Sequence, residues 1–222
     1  MPRLRSLVKG AVETLLILCA VSTAGLALSR FLSPQSTTTD GLPALVRFEG
    51  WEEDLVHPRR VGPENAPFRL VVWTDHQCPA CKYLETQIGQ AREQLGDSIA
   101  VIYRYNPLGM HALARLAAIA TECAGEQGRL EEMHNALFAA ELRGDSLPLD
   151  SLIVASHVQD APALRRCISD PESPARARVQ LDIHRALALN LRATPGVQIG
   201  NRLSTGAVQA DELIRRLRAA AK

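Results

Sequence analysis

Residues 69 to 82 read RLVVWTDHQCPACK, and this stretch decides the fold. It opens with a continuous apolar run, Arg69 to Thr74, whose β-branched residues are typical of a strand buried on both faces. The segment Cys78-Pro79-Ala80-Cys81 follows after a short loop. Pro79 suits the first turn of a helix, where its missing N–H removes no hydrogen bond. We therefore predict a strand, a loop, and a helix that begins at the cysteine pair and ends near Leu95.

Two cysteines three residues apart at a helix start can form a disulfide, because residues i and i+3 of a helix are neighbours. Free backbone N–H groups and the positive end of the helix dipole favour the thiolate of the first cysteine, which is the attacking species in thiol–disulfide exchange. Cys78 is thus expected to be the reactive, more exposed sulfur, and Cys81 to be partly covered. A zinc site would need a second ligand pair, which the chain does not offer. We expect redox chemistry without a metal or organic cofactor, with a purely structural disulfide as the alternative.

The rest of the chain predicts a second strand, a long helical block, a hairpin and a final helix. The second strand is Ile99 to Tyr105, an apolar run that ends at Asn106-Pro107. In the last helix of the block, Val179, Ile183 and Leu187 form an apolar stripe at i+4 steps. Two short apolar runs joined by Gly200-Asn201 are typical of a two-residue hairpin. The order of elements indicates an α/β protein.

Residues 1 to 30 differ in composition from the rest. Three cations, Arg3, Arg5 and Lys9, precede an apolar stretch from Thr14 to Leu28. A cleaved signal peptide and an uncleaved signal anchor both fit; the anchor is slightly favoured, although it needs about 20 apolar residues. Both interpretations place the later residues outside the cytoplasm, because the positive flank stays inside. We expect a domain on the periplasmic face of a bacterial inner membrane, or a periplasmic or secreted protein if the N-terminus is cleaved.

Residues 31 to 60 are expected to be a linker with a candidate first strand, and residues 61 to 222 to be the main domain. The formal net charge of +1 gives no basic stripe for nucleic acid, so we expect no nucleic-acid partner. Besides the pair above, Cys123 and Cys167 lie in the helical block. With Cys19 of the N-terminal apolar stretch set aside, the four remaining cysteines in an oxidising compartment favour pairing, and 78–81 plus 123–167 is the most economical of three connectivities. Two buried free thiols at 123 and 167 are the alternative.

Four segments together resemble the DsbA-like proteins of the thioredoxin superfamily, in the order that the family has them. They are Val61 to Lys82, Tyr103 to His111, Glu122 to Phe138, and Thr194 to Gly206. The resemblance covers roughly residues 60 to 220. It implies a thioredoxin fold with an inserted helical domain at about 108–190.

The resemblance also implies a site and a reaction. Pro195 would follow a cis peptide bond and pack against the cysteine pair, and the backbone of Thr194 would bind the substrate peptide. The reaction would be thiol–disulfide exchange on cysteine-containing exported proteins. A membrane redox partner would recycle the cysteine pair. The protein is expected to be a monomer. An oxidase is the favoured direction. A reductase or isomerase with a narrow client set and a redox-inert peptide-binding scaffold are the alternatives.

The chain departs from the family pattern at two positions. Many relatives carry an acidic residue six positions before the first cysteine, where this chain has Val72, and Asp75 is the nearest acidic residue in sequence. Strongly oxidising relatives place a histidine before the second cysteine, where this chain has Ala80, so the Cys78 thiolate is expected to be less stabilised. His76 compensates if it turns toward the sulfur; a solvated loop residue is the other interpretation.

Overall fold

The computed structural model describes residues 46–55 and 59–220. Its strands are β1 Val46–Arg47, β2 Arg60–Val61, β3 Phe68–Thr74, β4 Ile99–Tyr105, β5 Gly196–Ile199 and β6 Arg202–Thr205. They form one mixed sheet in the order β1-β6-β5-β3-β4-β2. Strands β3 and β4 are parallel, and the other neighbouring strands are antiparallel. The two predicted strands and the predicted hairpin are present at the expected positions.

The helices among these residues are α1 Glu52–Leu55, α2 Pro79–Leu95, α3 Ala114–Gly125, α4 Leu130–Ala139, α5 Leu149–Ala155, α6 Ala161–Ser169, α7 Pro174–Ala188 and α8 Ala210–Ala220. Helix α2 begins and ends where the sequence predicted. None of the helices in the described part of the chain has the length and apolar character needed to cross a bilayer. The predicted signal anchor or signal peptide and most of the predicted linker lie outside the described residues.

Strand β3 is covered on both faces because its side chains alternate. Leu70 and Val72 point into a core shared with α2 and α8. Val71 and Trp73 point to the opposite face, where α7 covers them. From Leu70 to Thr74 every residue is buried, as the continuous apolar run predicted.

Five helices, α3 to α7, occupy the chain between β4 and β5 and share a second core. Cys123 on α3 and Cys167 on α6 form a disulfide bond, with 5.9 Å between their Cα atoms. The side chain of Asp160 caps α6 by accepting the N–H of Ala163. This block is therefore closed by a covalent bond as well as by apolar packing.

The inward face of α7 differs from the predicted stripe. Val179 is buried, but Leu187 is 54% exposed, so its assignment to the stripe is wrong. The buried positions near that end of the helix are Asp182 and Ala186. The buried face of α7 thus contains a carboxylate, Asp182, whereas the predicted stripe contained only apolar side chains.

Asp182 is buried because it is fully paired. It accepts the guanidinium of Arg104 at 2.8 Å and the backbone N–H of Tyr105 at 2.9 Å, and it also contacts Arg59. Arg104 in turn donates to the buried Asp54 of α1 at 2.8 Å. A charge buried in a protein interior is tolerated only when it is paired in this way. The network fixes the inserted helices to strand β4.

Candidate active site

The cysteine pair lies at the N-terminus of α2, directly after the loop that leaves β3. Cys78 is the N-cap, with extended backbone angles, and Pro79 is the first helical residue. The backbone N–H of Cys78 donates to the carbonyl of Asp75 at 3.0 Å, which closes the loop as a turn. Cys78 is 7% exposed and Cys81 1% exposed. The order of exposure is the predicted one, although both sulfurs are more covered than expected.

A loop from the far end of the chain faces the first sulfur. The Thr194–Pro195 peptide bond is cis, and the Sγ of Cys78 lies 3.5 Å from the carbonyl oxygen of Thr194. Pairing of β5 with β3, which sets Gly196 opposite Trp73, holds this loop beside the start of α2. A Cβ atom at Gly196 would lie 3.0 Å from the Cβ of Trp73, so any larger residue there would have to displace its neighbours.

Burial, and then the neighbouring Cys78, raises the pKa of Cys81 to about 12. The Cys81 thiol is therefore protonated near neutral pH. Because only a thiolate attacks a disulfide, attack by Cys81 would require a proton to leave a buried site.

Of the two positions that the sequence analysis considered for an acidic residue near Cys81, one is apolar and the other holds a carboxylate that is already hydrogen-bonded. Val72 is wholly apolar and buried in the core against α2. The carboxylate of Asp75 accepts the backbone N–H groups of Gln77 and Leu108, each at 2.8 Å, and contacts Nδ1 of His111 at 2.8 Å. Asp75 thus holds two loops together.

His76 is 5% exposed, so its interpretation as a solvated loop residue is wrong. Its ring packs against the rings of Tyr105, His134 and Phe138. Phe138 also clusters with Cys78 and Cys81. Among the described residues neither nitrogen of His76 bonds a cysteine sulfur, because Nε2 contacts His134 and Nδ1 has no hydrogen-bond partner.

His134 and Glu85 belong to this neighbourhood and were missed in the sequence. Nε2 of His134 lies 3.4 Å from the carboxylate of Glu85, which also accepts the hydroxyl of Tyr103 at 2.8 Å. Glu85 follows Cys81 by one helical turn, a spacing that could have suggested it. His134 offered no such signal, because it lies in a helix far along the chain.

The two residues between the cysteines, Pro79 and Ala80, are exposed. The first turn of α2 between the two buried cysteines is therefore accessible to solvent. Within residues 46–55 and 59–220, no group of three or more His, Cys, Asp or Glu side chains could hold a metal ion.

Comparison with known proteins gives one family match and many partial relatives. A family model described as thioredoxin matches residues 54–219. The chain is 31% identical over 166 residues to the Na⁺/H⁺ antiporter NhaA 1 of Salinispora arenicola, a match that covers 73% of this chain and 24% of that protein. The chain spans about a quarter of the length of the curated relatives it matches, so antiport is not carried over to it.

Solved structures agree on the fold. DsbA2 of Pseudomonas aeruginosa superposes with a TM-score of 0.60 at 25% identity, over 79% of this chain and 93% of that one. The thiol–disulfide exchange protein α-DsbA2 of Wolbachia pipientis superposes with a TM-score of 0.65 over 76% of this chain and 91% of that one. Its identity of 18% supports a shared fold only.

Proposed function

The chain belongs to the thioredoxin family and is homologous to DsbA-like thiol:disulfide oxidoreductases, and from this premise we propose that it oxidises thiols of exported proteins through the Cys78–Cys81 couple. The observation that carries the proposal is the place of Cys78. Cys78 is the N-cap residue of α2, and its sulfur faces the carbonyl of Thr194 at 3.5 Å. A cysteine at a helix N-terminus has its thiolate favoured by the dipole and by free N–H groups.

In the oxidising direction, a client thiolate attacks Sγ of Cys78 in the Cys78–Cys81 disulfide. A mixed disulfide forms, and Cys81 leaves as a thiolate that takes up a proton. A second client thiolate then attacks the client sulfur of the mixed disulfide and releases the Cys78 thiolate. The client loses two electrons to the cysteine pair, and a membrane redox partner removes them. In the reducing direction, Cys78 attacks a client disulfide and Cys81 resolves the mixed disulfide.

We assign client binding to the loop at Thr194 and Pro195. The backbone of Thr194 lies beside the reactive sulfur, and an extended client chain would pair with it there. The exposed Pro79 and Ala80 form the other side of this surface. Ala80 donates no hydrogen bond to the Cys78 thiolate, which makes the couple a weaker oxidant than a relative with histidine at that position.

The proposed location is the periplasm, on the membrane or free, with the protein acting as a monomer. The disulfide between Cys123 and Cys167 supports this location, since such bonds persist in oxidising compartments.

The testing measurement is the reduction potential of the couple, equilibrated against glutathione. A value toward about −120 mV supports an oxidase, whereas a value near about −270 mV means a reductase that needs an electron supply. The variant Cys78→Ser tests the chemistry itself. If Cys78→Ser still complements a redox phenotype, the scaffold interpretation replaces the proposal.

A further inference from the structure

The side chain of Thr194 is a buried polar group that the exchange mechanism above does not use. The residue is 8% exposed, and its hydroxyl oxygen has no hydrogen-bond partner among the described residues. A hydroxyl that is buried without a partner costs free energy of folding, so its presence requires an explanation.

The loop that carries Thr194 lies against the cysteine pair. Its carbonyl oxygen is 3.5 Å from Sγ of Cys78, and the bond to Pro195 is cis. Directly after this loop, β5 pairs with β3, which sets Gly196 opposite Trp73. The sheet therefore holds Thr194 beside the start of α2.

Two hydrogen-bond donors face the buried sulfur of Cys81. Burial and then Cys78 raise the pKa of this thiol, whereas hydrogen bonds with the side chain of Thr194 and with the backbone of Asp75 lower it. A thiolate can only accept hydrogen bonds, so a contact that lowers the pKa of a thiol is a donor. The two donors are thus the hydroxyl of Thr194 and the backbone N–H of Asp75. A neutral thiol is only a weak acceptor, which is why the hydroxyl lacks a full partner in the reduced protein.

Burial makes a negative charge on Sγ of Cys81 costly. The residue is 1% exposed, and a thiolate there loses its hydration. Every step that forms or breaks the Cys78–Cys81 bond places part of a negative charge on this sulfur. A donor that is already in place at a site without water stabilises such a developing charge more strongly than water-exposed donors do.

We propose that the hydroxyl of Thr194, together with the backbone N–H of Asp75, stabilises the negative charge on Sγ of Cys81 in the transition state of thiol–disulfide exchange, an inference that rests on the proposed function. Thr194 is then a catalytic residue through its side chain, in addition to the client binding assigned to its backbone.

The same two donors act in both directions of the reaction. When a client thiolate attacks Sγ of Cys78, the new sulfur–sulfur bond forms, the Cys78–Cys81 bond breaks, and its electron pair goes to Sγ of Cys81. The hydroxyl of Thr194 donates to that sulfur, which then takes up a proton from water. In the reverse direction Cys81 loses its proton to water, attacks Sγ of Cys78 and expels the client thiolate.

A donor of this kind changes rates without changing the equilibrium. Cys81 is an uncharged disulfide sulfur in the oxidised protein, and with a pKa of about 12 it is a neutral thiol in the reduced protein near neutral pH. The hydroxyl therefore stabilises the transition state and neither of the two stable states. A residue that only supports the loop has no reason to show this combination.

The test uses the full chain with Cys19→Ser, so that no thiol other than the cysteine pair reacts, and two probes. The aromatic disulfide DTNB, added to the reduced protein, releases one coloured thiolate when Cys78 attacks and a second when Cys81 resolves the mixed disulfide. Glutathione, added to the oxidised protein, attacks Cys78 and expels Cys81. Stopped-flow absorbance follows the first probe, and acid quenching with mass spectrometry follows the second.

The variants separate the hydroxyl from the rest of the side chain. Thr194→Val removes the hydroxyl and keeps the branched shape, and Thr194→Ala removes the same hydroxyl if valine disturbs the loop. Thr194→Ser keeps a hydroxyl. The matched control is Thr74→Val, because the hydroxyl of Thr74 is equally buried and without a partner but is not one of the groups that shift the pKa of Cys81.

The size of the effect follows from the charge on the sulfur. A hydrogen bond to a charged group is worth about tenfold in an equilibrium constant. Since thiol–disulfide exchange has a Brønsted coefficient of about 0.4–0.5, losing the bond should slow each step at Cys81 about threefold. We expect Thr194→Val to slow the second coloured release and the attack of glutathione by this factor. The first coloured release and the equilibrium constant with glutathione should keep their wild-type values, as should every rate in Thr194→Ser and Thr74→Val.

Three results would overturn the assignment of the hydroxyl. They are wild-type rates in both Thr194→Val and Thr194→Ala, an equal slowing in Thr194→Ser or Thr74→Val, and a slowing that comes with a changed equilibrium constant. If the wild type releases no coloured thiolate at all, the proposed function itself fails.

Discussion

The thiol of Cys81 should resist alkylation to an extent that its pKa sets. With a pKa of about 12, as burial and then Cys78 impose, about one molecule in 10⁴ carries the thiolate near pH 8. An ordinary thiol with a pKa of 9.0 would be ionised in about one molecule in ten. The full shift would slow the alkylation of Cys81 by iodoacetamide about 1,000-fold relative to the unfolded chain, and this factor is an upper limit for a variant without Cys78, before any steric protection.

The variant Cys78→Ser isolates Cys81, and mass spectrometry of samples quenched at intervals gives its alkylation rate. A raised pKa favours the neutral thiol, so the rate should climb about tenfold for each pH unit and reach no plateau up to about pH 10. The same variant unfolded in urea should level off near pH 9, the ordinary value. Removing Cys78 eliminates only the second of the two causes that raise the pKa of Cys81, since the burial of the thiol remains. A plateau in the folded variant below about pH 9, or a rate close to that of the unfolded chain near pH 8, would refute the reasoning.

Three further changes test the structure. Replacing Cys123 and Cys167 by alanine opens a loop with a sequence separation of 44, and loop-closure entropy predicts a loss of about 4 kcal/mol in the free energy of unfolding by urea; a loss under about 1 kcal/mol would contradict it. Gly62→Ala should destabilise by more than about 1 kcal/mol, because φ is +108° and the new Cβ would lie 2.6 Å from the carbonyl oxygen of Ile99. Its matched control, Gly89→Ala within α2, meets no atom within 4 Å and should stabilise by about 0.5–1 kcal/mol. Ala80→His should raise the reduction potential of the Cys78–Cys81 couple, measured against glutathione, by about 20 mV, since a hydrogen bond of about 1 kcal/mol from the histidine to the Cys78 thiolate would stabilise the reduced form. A lower potential than that of the wild type would contradict this expectation.

Features that depend only on residues close together in the chain could be predicted from the sequence. The buried strand β3, the helix that starts at Pro79, and the hairpin at Gly200-Asn201 were predicted because each follows from local rules of burial, capping and turn geometry. The cysteine pair belongs to this class, since a spacing of three residues at a helix start already predicts two neighbouring sulfurs.

The α7 stripe shows where a local rule fails. Steps of i+4 drift by about 40° around a helix each time, so Val179 and Leu187 do not share one face. The buried face instead follows Val179, Asp182 and Ala186, at steps of three and four. Asp182 can be buried on this face because Arg59 and Arg104, from other parts of the chain, pair with its carboxylate. No pattern within α7 could predict these two partners.

The sequence alone predicted the candidate reactive atoms, the sulfurs of Cys78 and Cys81, from the strand, the loop and the helix start. Only the tertiary structure decided their surroundings, because those contacts join residues far apart in the chain. The carbonyl of Thr194 reaches Cys78 across 116 residues, and His134 reaches His76 across 58. Such contacts depend on sheet pairing and on the packing of α4 over α2, where burial fixes the pKa of Cys81. No spacing within one segment can encode them.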